Sequence, residues 1–340
     1  MSYLIYTLFF STFLISLFLI VNYRNQIGKY LNVLDKPTTN KIHTEITPLI
    51  GALPIFLHSV IIFIFYFLHE TNSYVITTFT ISYFFLVLGY IDDKYNLNAY
   101  IKLFVSLIFL YLILQNYEIL TIKFLYFETF QIKLFLGNFS IFFSILCILL
   151  LMNALNLTDG INGLASLITS FWFFFIFIYS STGFESHIYF ILSLLIFINT
   201  FFIYKGKYFL GDSGTLYLSS LFSVSFIYIY NLEFQSQNII SVEKIFILFM
   251  MPGIDMLRLF ITRIINNRDP FSGDLNHLHH ILFNYFGTTK SLIIYIITFL
   301  ITNLASYLNI VSPIIIISAY ILIYIIFIKK HKNLNFFKIK

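Results

Sequence analysis

The sequence predicts an all-α polytopic integral membrane protein with about 11 transmembrane helices, and three observations support this class. Of the 340 residues, 59% are hydrophobic and only 10% are charged, whereas about a quarter of the residues of an ordinary soluble domain are charged. The hydrophobic residues form runs close to the roughly 20 residues that a membrane-crossing helix needs. The basic residues, in contrast, gather in alternate connections between these runs.

The apolar runs give the bounds of the predicted spans. These are residues 3–22, 48–68, 74–91, 99–115, 141–155, 164–180, 187–204, 215–231, 243–264, 291–308 and 313–329. The first run has neither a basic segment before it nor a small-residue cleavage site after it. It is therefore expected to be a retained helix and not a cleaved signal peptide.

The lysine and arginine residues predict the orientation of the spans, because cytoplasmic loops carry an excess of both. Only Lys123, Lys133 and Lys244 fall in one set of connections, and the other seventeen basic residues fall in the alternate set. The N-terminus is therefore predicted outside and the C-terminus in the cytoplasm. Since these cations are spread over loops and the C-terminal tail, no nucleic-acid partner is expected.

One outer segment differs from the other connections. Residues 117–139 partly alternate polar and apolar types and are rich in β-branched and aromatic side chains, as in a short β-hairpin. The chain shows no internal repeat, so a single membrane-embedded domain over residues 1–340 is predicted. The single cysteine, Cys147, excludes an intramolecular disulfide framework.

A pair of carboxylates ends the third predicted span. Asp92 and Asp93 repel each other and meet an unfavourable helix dipole there, so structure alone gives little reason for them. Paired aspartates suit Mg²⁺, a hard cation that takes oxygen ligands and is often shared with substrate phosphates. Lys102, near the base of the next span, is placed to face a phosphate. The alternative interpretation is a solvated turn.

Two further polar stretches lie on the same predicted side. NALNLTDGINGLA, beginning at Asn153, places amides, a carboxylate and glycines between two apolar runs. It is either a functional loop or a tight polar turn. GDSG, beginning at Gly211, puts Asp212 at a helix N-terminus, where free backbone N–H groups favour an anion. The alternative there is an ordinary N-cap.

Basic and histidine-rich stretches complete the cytoplasmic side. Lys41 and His43 precede the second span, where a topology determinant or a lipid-headgroup contact is the alternative interpretation. The ninth span leads into a predicted loop with a dense group of charged and imidazole side chains: Asp255, Arg258, Arg263, Asp269, Asp274, His277, His279 and His280. Arginine and protonated histidine bind phosphoryl oxygens. Zinc is less expected, because no cysteine is nearby and the arginines would repel a cation.

Together these clusters predict a Mg²⁺-dependent site for a polyphosphate, open to the cytosol and to the bilayer. Phosphoryl transfer needs mainly a metal, cations and positioning from the protein. An ion-coupled membrane transporter is the alternative from another class, since ionisable residues near helices often mark ion pathways. It would place charges near the membrane midplane and show two inverted halves.

The motifs also carry a family resemblance over nearly the whole chain. DDK at Asp92, NALNLTDGINGLA at Asn153, GDSG at Gly211 and HLHH at His277 are similar in order and spacing to those of the polyprenyl-phosphate N-acetylhexosamine-1-phosphate transferases. The chain resembles the branch that starts O-antigen, enterobacterial common antigen or teichoic acid linkage units. It is less similar to the phospho-MurNAc-pentapeptide transferases, which carry a run of three histidines followed by an acidic residue.

The resemblance implies transfer of N-acetylhexosamine 1-phosphate from a UDP-sugar, expected to be UDP-GlcNAc, to undecaprenyl phosphate, with release of UMP. It also implies a location in the bacterial cytoplasmic (inner) membrane with the active site on the cytoplasmic side. Mg²⁺ is the expected cofactor, with Mn²⁺ as an alternative, and a homodimer is left open.

The clusters and the resemblance together give each candidate residue an expected role. The metal ligands are Asp212 and Asn156. The catalytic residues are Asp92, Asp93, Asp159 and His279. The substrate-binding residues are Lys41, His43, Lys102, Asn153, Asn156, Asn162, Arg258, His277 and His280.

Two positions depart from the family pattern. Asn162 stands where the family commonly has a second aspartate in a DGxDG motif. The loop before GDSG reads YKGKYF instead of an Asn and Pro-Ala pattern, and it adds Lys205 and Lys207. Both changes are expected to affect sugar or nucleotide preference without abolishing transfer.

Overall fold

A computed structural model of the chain describes residues 2–37, 45–69, 73–180, 183–236, 238–270 and 276–338. Within these ranges the chain forms eleven α-helices and four short β-strands. The helices are α1 (Ser2–Leu31), α2 (Leu53–His69), α3 (Ser73–Tyr95), α4 (Ala99–Leu114), α5 (Ser140–Thr158), α6 (Leu164–Tyr179), α7 (Gly183–Tyr204), α8 (Gly211–Gln235), α9 (Val242–Ile265), α10 (Leu278–Tyr307) and α11 (Pro313–Lys338). The strands are β1 (Leu34–Asp35), β2 (Thr47–Pro48), β3 (Phe124–Phe127) and β4 (Ile132–Phe135).

The prediction of an all-α, multi-pass membrane protein is confirmed. Of the described helices, α3, α5 and α7 to α11 contain stretches long and apolar enough to cross a membrane, and α2, α4 and α6 are shorter apolar helices. A buried hydrogen-bonded helix satisfies its own backbone polar groups, which the bilayer interior requires. The orientation of the termini and the number of eleven crossings stay predictions.

Two predicted helix starts are wrong. Helix α2 begins at Leu53 and not at residue 48, because Thr47 and Pro48 form β2, which pairs antiparallel with β1. Helix α10 begins at Leu278 and not at residue 291. The three histidines therefore lie at a helix N-terminus and not inside a long loop. Gly287 interrupts α10 with φ 73° and ψ 177°, so α10 consists of a short first segment and a long second one.

The predicted hairpin within residues 117–139 is present. Strands β3 and β4 pair antiparallel, with Phe124 opposite Phe135 and Phe127 opposite Ile132. Glu243, in the first turn of α9, accepts the backbone N–H groups of Glu128 and Thr129 at 3.1 Å each. This carboxylate ties the turn of the hairpin to α9.

The chain forms two compact units, which are described separately. The first unit comprises residues 1–122 and 137–238, and the second comprises residues 123–136 and 239–340. The prediction of a single membrane-embedded domain stays a prediction.

Helix α8 is the most buried helix of the first unit. Its residues from Ser213 to Tyr230 are all buried. Many are serines or glycine, whose small side chains let helix backbones approach closely within a membrane. The clearest case is Gly89 on α3: a Cβ atom at this position would collide with the carbonyl oxygen of Asp212 and the Cα of Ser213. Helix α3 therefore packs directly against the beginning of α8.

The second unit consists of the β3–β4 hairpin and helices α9, α10 and α11. Its polar contacts are concentrated where α9, the beginning of α10 and α11 meet, around the buried carboxylate of Asp255.

Candidate active site

The first unit gathers carboxylates from three separate segments around one lysine. Asp92 and Asp93 come from the last turns of α3, Asp159 follows α5, and Asp212 lies in the first turn of α8. Lys102 comes from the first turns of α4. The predicted grouping of these side chains is present in the structure, and each carboxylate has a different set of partners.

Asp93 caps helix α8. Its carboxylate accepts the backbone N–H of Asp212 at 2.8 Å and that of Ser213 at 3.0 Å. A carboxylate is favoured at this position, because the helix dipole and the unpaired N–H groups of a helix N-terminus attract negative charge. The interpretation of GDSG as a site with free backbone N–H groups for an anion is therefore wrong for these two groups, since Asp93 occupies them.

Asp92 is the most buried acid of this group and holds Lys102. Its side chain is 4% exposed. One of its oxygens accepts the backbone N–H of Leu97 at 2.7 Å, and the other accepts a hydrogen bond from the Lys102 ammonium. The same ammonium lies 3.5 Å from Oδ2 of Asp212, whose side chain is 33% exposed. Lys102 therefore bridges a buried carboxylate and an accessible one.

Asp159 lies beside the same group. Burial raises the pKa of its carboxyl well above its usual range, and the carboxylates of Asp212 and Asp93 raise this pKa further. A hydrogen bond from the backbone N–H of Gly211 acts in the opposite direction. The carboxylates of Asp159, Asp212 and Asp93 therefore lie close enough to repel one another, and a bound cation would reduce this repulsion.

The three asparagines of the NALNLTDGINGLA stretch lie in different environments. Asn156 accepts a hydrogen bond at Oδ1 from the hydroxyl of Thr215 at 2.8 Å, which connects α5 to α8. Asn153 is exposed. Asn162 is half-buried and neighbours Gly206. Thr215 was not singled out from the sequence, because a lone threonine inside an apolar helix gives no signal of its own.

The unusual loop before GDSG is anchored by a buried tyrosine. Tyr208 is fully buried, and its hydroxyl donates to Oδ1 of Asn199 at 2.7 Å. The amide of Asn199 in turn donates to the carbonyl oxygen of Gly51 at 2.8 Å, and the N–H of Gly51 donates to the carbonyl oxygen of Phe209 at 2.8 Å. This departure from the family pattern thus contributes to the fold just before Asp212.

The second unit contains a separate polar cluster built on Asp255. One carboxylate oxygen accepts hydrogen bonds from Nη2 of Arg258 at 2.9 Å and from the hydroxyl of Tyr324 at 2.6 Å. The other faces Nδ1 of His277 at 2.9 Å and accepts the backbone N–H of Leu278 at 3.0 Å. Asp255 therefore connects α9 to the beginning of α10 and to α11.

The three histidines have unequal positions. His277 and His279 are buried, with ring centroids 5.3 Å apart, whereas His280 is only half-buried. The ring of His279 lies 4.2 Å from that of His280, and its buried Nε2 has no hydrogen-bond partner in the described part of the chain. His277 is thus the histidine oriented by a carboxylate.

Asp255, His277 and His279 also offer ligand-type atoms that lie within 4.8 Å of one another. This spacing is compatible with a metal ion. However, both oxygens of Asp255 already accept two hydrogen bonds each, and one of these donors is the guanidinium of Arg258. A cation would have to displace these donors and stay close to a positive charge, so the donor set disfavours a metal at this position.

The remaining predicted residues are not placed by the structure. Lys41 and His43 lie outside the described residues, as does Asp274. The roles assigned from the sequence to the individual site residues stay predictions, and so does the convergence of the histidine segment with the aspartates.

Comparison with known proteins agrees with these motifs. The profile of "Glycosyl transferase family 4" matches residues 73–230. The chain is 29% identical to the "Probable undecaprenyl-phosphate N-acetylglucosaminyl 1-phosphate transferase" of Bacillus subtilis, over 84% of this chain and 80% of that protein. It is 25% identical to the "Undecaprenyl-phosphate alpha-N-acetylglucosaminyl 1-phosphate transferase" of Thermotoga maritima, over 84% and 85% of the two chains. It is 22% identical to the protein of the same name from Escherichia coli K12, over 80% and 76%. The chain is therefore similar to glycosyl transferase family 4 over residues 73–230, and its four motifs stand in the order expected for such a protein.

Proposed function

We propose that this protein transfers N-acetylglucosamine 1-phosphate from UDP-GlcNAc to undecaprenyl phosphate, releases UMP and so starts a lipid-linked cell-surface glycan. The names of its relatives support this activity. The observation that carries the proposal is the position of Asp212. Its carboxylate is one-third exposed and lies beside Lys102, whose ammonium also holds the buried carboxylate of Asp92.

This cluster fits Mg²⁺ by the chemistry of its donors. Carboxylate and amide oxygens are the ligands that this hard cation prefers. Asp212 and Asp159 would hold the ion, and Oδ1 of Asn156 is oriented beside them by Thr215. Besides burial, the carboxylates of Asp212 and Asp93 raise the pKa of Asp159, and a divalent cation would reduce this repulsion. When bound, Mg²⁺ would neutralise charge on the diphosphate of the donor.

The protein side chains would position the two phosphates. In the proposed reaction, an oxygen of the lipid phosphate forms a bond to the phosphorus atom that carries the sugar. The bond from that phosphorus to the bridging oxygen of the diphosphate breaks, and UMP leaves with the electron pair. Lys102 faces the accessible carboxylate and would contact a phosphoryl oxygen. Asp92 would hold this ammonium in place.

A general base is not required for this reaction. The second pKa of a phosphate monoester is near 6, so the lipid phosphate is largely ionised at neutral pH. Both oxygens of Asp92 are engaged, one by Leu97 and one by Lys102. We therefore assign Asp92 to the positioning of Lys102 and Asp93 to the capping of α8, in place of the catalytic roles expected from the sequence.

The alternative of an ion-coupled transporter is less well supported. It predicts carboxylates near the middle of membrane spans. The four clustered acidic residues, Asp92, Asp93, Asp159 and Asp212, stand at the end of α3, after α5 and at the beginning of α8. Helix ends reach the membrane surface, where a water-soluble UDP-sugar meets a lipid phosphate. We propose that this surface is the cytoplasmic face of the bacterial inner membrane.

The test is release of UMP by the purified full chain in detergent or nanodiscs, with UDP-GlcNAc, undecaprenyl phosphate and Mg²⁺. Wild type should release UMP only when all three are present, and Asp212→Ala should lose at least about 100-fold in rate, as expected when a group that stabilises transferred charge is removed. Glu128→Gln, which neutralises a carboxylate of the hairpin, is the matched control and should keep wild-type activity. Full activity of Asp212→Ala would overturn the assignment.

The donor sugar can be tested in the same assay. UDP-GlcNAc, UDP-GalNAc and a UDP-linked 6-deoxy-N-acetylhexosamine should be compared at equal concentrations. The proposal expects the highest kcat/KM for UDP-GlcNAc. A higher value for either of the others would keep the transferase reaction and change its substrate.

A further inference from the structure

Tyr324 on α11 makes charge-assisted contacts that its sequence surroundings do not suggest. Its hydroxyl donates to Oδ1 of Asp255 at 2.6 Å and accepts a hydrogen bond from Nε of Arg258 at 2.6 Å. The guanidinium carbon of Arg258 lies 5.9 Å from the centre of the tyrosine ring. The hydroxyl of a tyrosine inside an apolar membrane helix usually needs one hydrogen-bond partner. The hydroxyl of Tyr324 has two, and it connects the carboxylate of Asp255 to the guanidinium of Arg258.

These contacts fix the direction of the Arg258 side chain. Nε is held by Tyr324, and Nη2 donates both to Asp255 at 2.9 Å and to the carbonyl oxygen of Asn276 at 2.6 Å. Nη1 makes no hydrogen bond to any residue that the structure describes. Because the guanidinium is planar, holding Nε and Nη2 also sets where the two N–H groups of Nη1 point.

The same carboxylate sets the tautomer of His277. Oδ2 of Asp255 lies 2.9 Å from Nδ1 of His277 and also accepts the N–H of Leu278. An ionised carboxylate only accepts hydrogen bonds, so Nδ1 carries the proton that faces it. Nε2 is then the remaining ring nitrogen of His277 for a further partner, as in other carboxylate-oriented histidines.

We propose that Tyr324 and Asp255 are positioning residues that hold Arg258 and His277 in the orientation in which they bind the diphosphate of the sugar donor. This inference rests on the proposed function and extends it, because it names two residues that would act through others. We call Asp255, Arg258, His277 and Tyr324 the α9–α11 clamp. Its two presented groups, Nη1 of Arg258 and Nε2 of His277, suit phosphoryl oxygens.

The chain offers a close control for Tyr324. Tyr320 lies on the same helix and is also buried, and the two rings are 6.0 Å apart. The hydroxyl of Tyr320 has no hydrogen-bond partner among the residues that the structure describes. Tyr320→Phe and Tyr324→Phe thus remove the same atom from neighbouring turns, and only the second variant removes a contact to the clamp.

The experiment measures kcat and KM for UDP-GlcNAc and for undecaprenyl phosphate with the purified full chain. The variants are Tyr324→Phe, Tyr320→Phe, Arg258→Lys and the double variant Tyr324→Phe/Arg258→Lys. Thermal unfolding in detergent and the Kd for UDP-GlcNAc are measured on the same preparations. Lysine keeps the charge of Arg258 but has no Nε–H for Tyr324. For variants whose turnover is too slow to measure, the Kd for UDP-GlcNAc is compared with that of wild type.

Tyr324→Phe should lower kcat/KM for the donor by about tenfold, the size expected for a hydrogen bond to a charged group. This loss should appear in the donor KM and Kd, with the acceptor KM unchanged. Tyr320→Phe should match wild type. In the Arg258→Lys background, Tyr324→Phe should add less than about a twofold loss, because the two residues act as a unit.

Four results would overturn the clamp. The first is wild-type kinetics in Tyr324→Phe, and the second is the full tenfold loss in the Arg258→Lys background. The third is an equal fall in kcat/KM for both substrates together with a lower unfolding temperature, which would indicate a structural role only. The fourth is stoichiometric transition metal in wild type that is absent from Asp255→Asn, which would indicate a metal centre. A wild type that releases no UMP overturns the proposed function, and this inference with it.

Discussion

Asp93 and Asp212 are joined although 119 residues separate them in the sequence, because the carboxylate of Asp93 accepts the backbone N–H of Asp212 at 2.8 Å. This contact gives the two acids different tasks. The charge of Asp93 is used to cap α8, whereas the carboxylate of Asp212 stays one-third exposed beside Lys102. The two residues should therefore respond differently to substitution.

Asp93→Ala should destabilise the protein, and Asp212→Ala should not. Loss of an N-cap costs about 1 kcal/mol, up to about 2. Removing the carboxylate of Asp212 instead relieves repulsion among the clustered carboxylates. The unfolding temperature of Asp212→Ala should therefore equal or exceed that of wild type. Both variants should lose UMP release. The two variants are compared by thermal unfolding in detergent without Mg²⁺. Equal unfolding temperatures would contradict the capping role of Asp93.

Gly89→Ala should separate α3 from α8 and lower activity. Its new Cβ would collide with backbone atoms of Asp212 and Ser213, which cannot rotate away as a side chain can. Overpacking of this kind costs about 1–3 kcal/mol. Gly253→Ala on α9 is the matched control, since a Cβ there would meet nothing within 4 Å. Wild-type unfolding temperature and turnover in Gly89→Ala would show that this close packing is not needed.

Lys102→Gln should slow turnover and strengthen the binding of Mg²⁺. The loss of a cation that contacts phosphate should lower kcat by at least about tenfold. The concentration of Mg²⁺ at half-maximal rate should fall, because a positive charge 3.5 Å from Asp212 no longer opposes the ion. UMP release measured against Mg²⁺ concentration gives both values. Lys244→Gln, which pairs with Glu128 in the second unit, is the control and should match wild type.

Asp159 should make stability depend on pH when no divalent cation is present. Burial and the carboxylates of Asp212 and Asp93 raise its pKa well above the usual range. Above the unfolded value, near 3.9, the folded protein therefore binds more protons at this residue than the unfolded chain does. Stability from this residue is present at low pH and is lost as the pH rises towards the raised pKa.

The measurement compares wild type with Asp159→Asn by thermal unfolding from about pH 5 to about pH 8, in EDTA, over the range in which most proteins are stable. Wild type should lose stability over this range more steeply than the variant. Added Mg²⁺ should flatten the wild-type curve, because a bound cation favours the carboxylate form. Parallel curves in EDTA would mean that folding does not raise the pKa of Asp159.

The sequence was sufficient for most helices and for the hairpin, because long apolar runs and alternating β-branched residues are strong local signals. It failed at the beginning of α10. His279 and His280 interrupt the apolar run there, so the segment resembles a loop. The spacing of Leu278, Ile281 and Leu282 is nevertheless that of one helix face and could have identified the helix.

The partners of the acidic residues could not be predicted from the sequence. The motifs indicated which carboxylates matter, but the capping of α8 by Asp93 depends on how α3 packs against α8. The hydroxyl of Tyr324 reaches Asp255 across 69 residues for a similar reason. Contacts of this range follow from tertiary packing, for which a single sequence carries no local signal.

Gly287 sets the direction of the short histidine-bearing segment of α10 through one pair of backbone torsions. Its φ of 73° is a conformation that glycine adopts without strain, and the space around it is open within 4 Å. The bend at Gly287 lets the first segment follow Asp255, which holds His277 and the backbone N–H of Leu278, while the long second segment keeps a different direction. A residue with a side chain at this position would strain the backbone at the bend and shift the imidazoles away from Asp255.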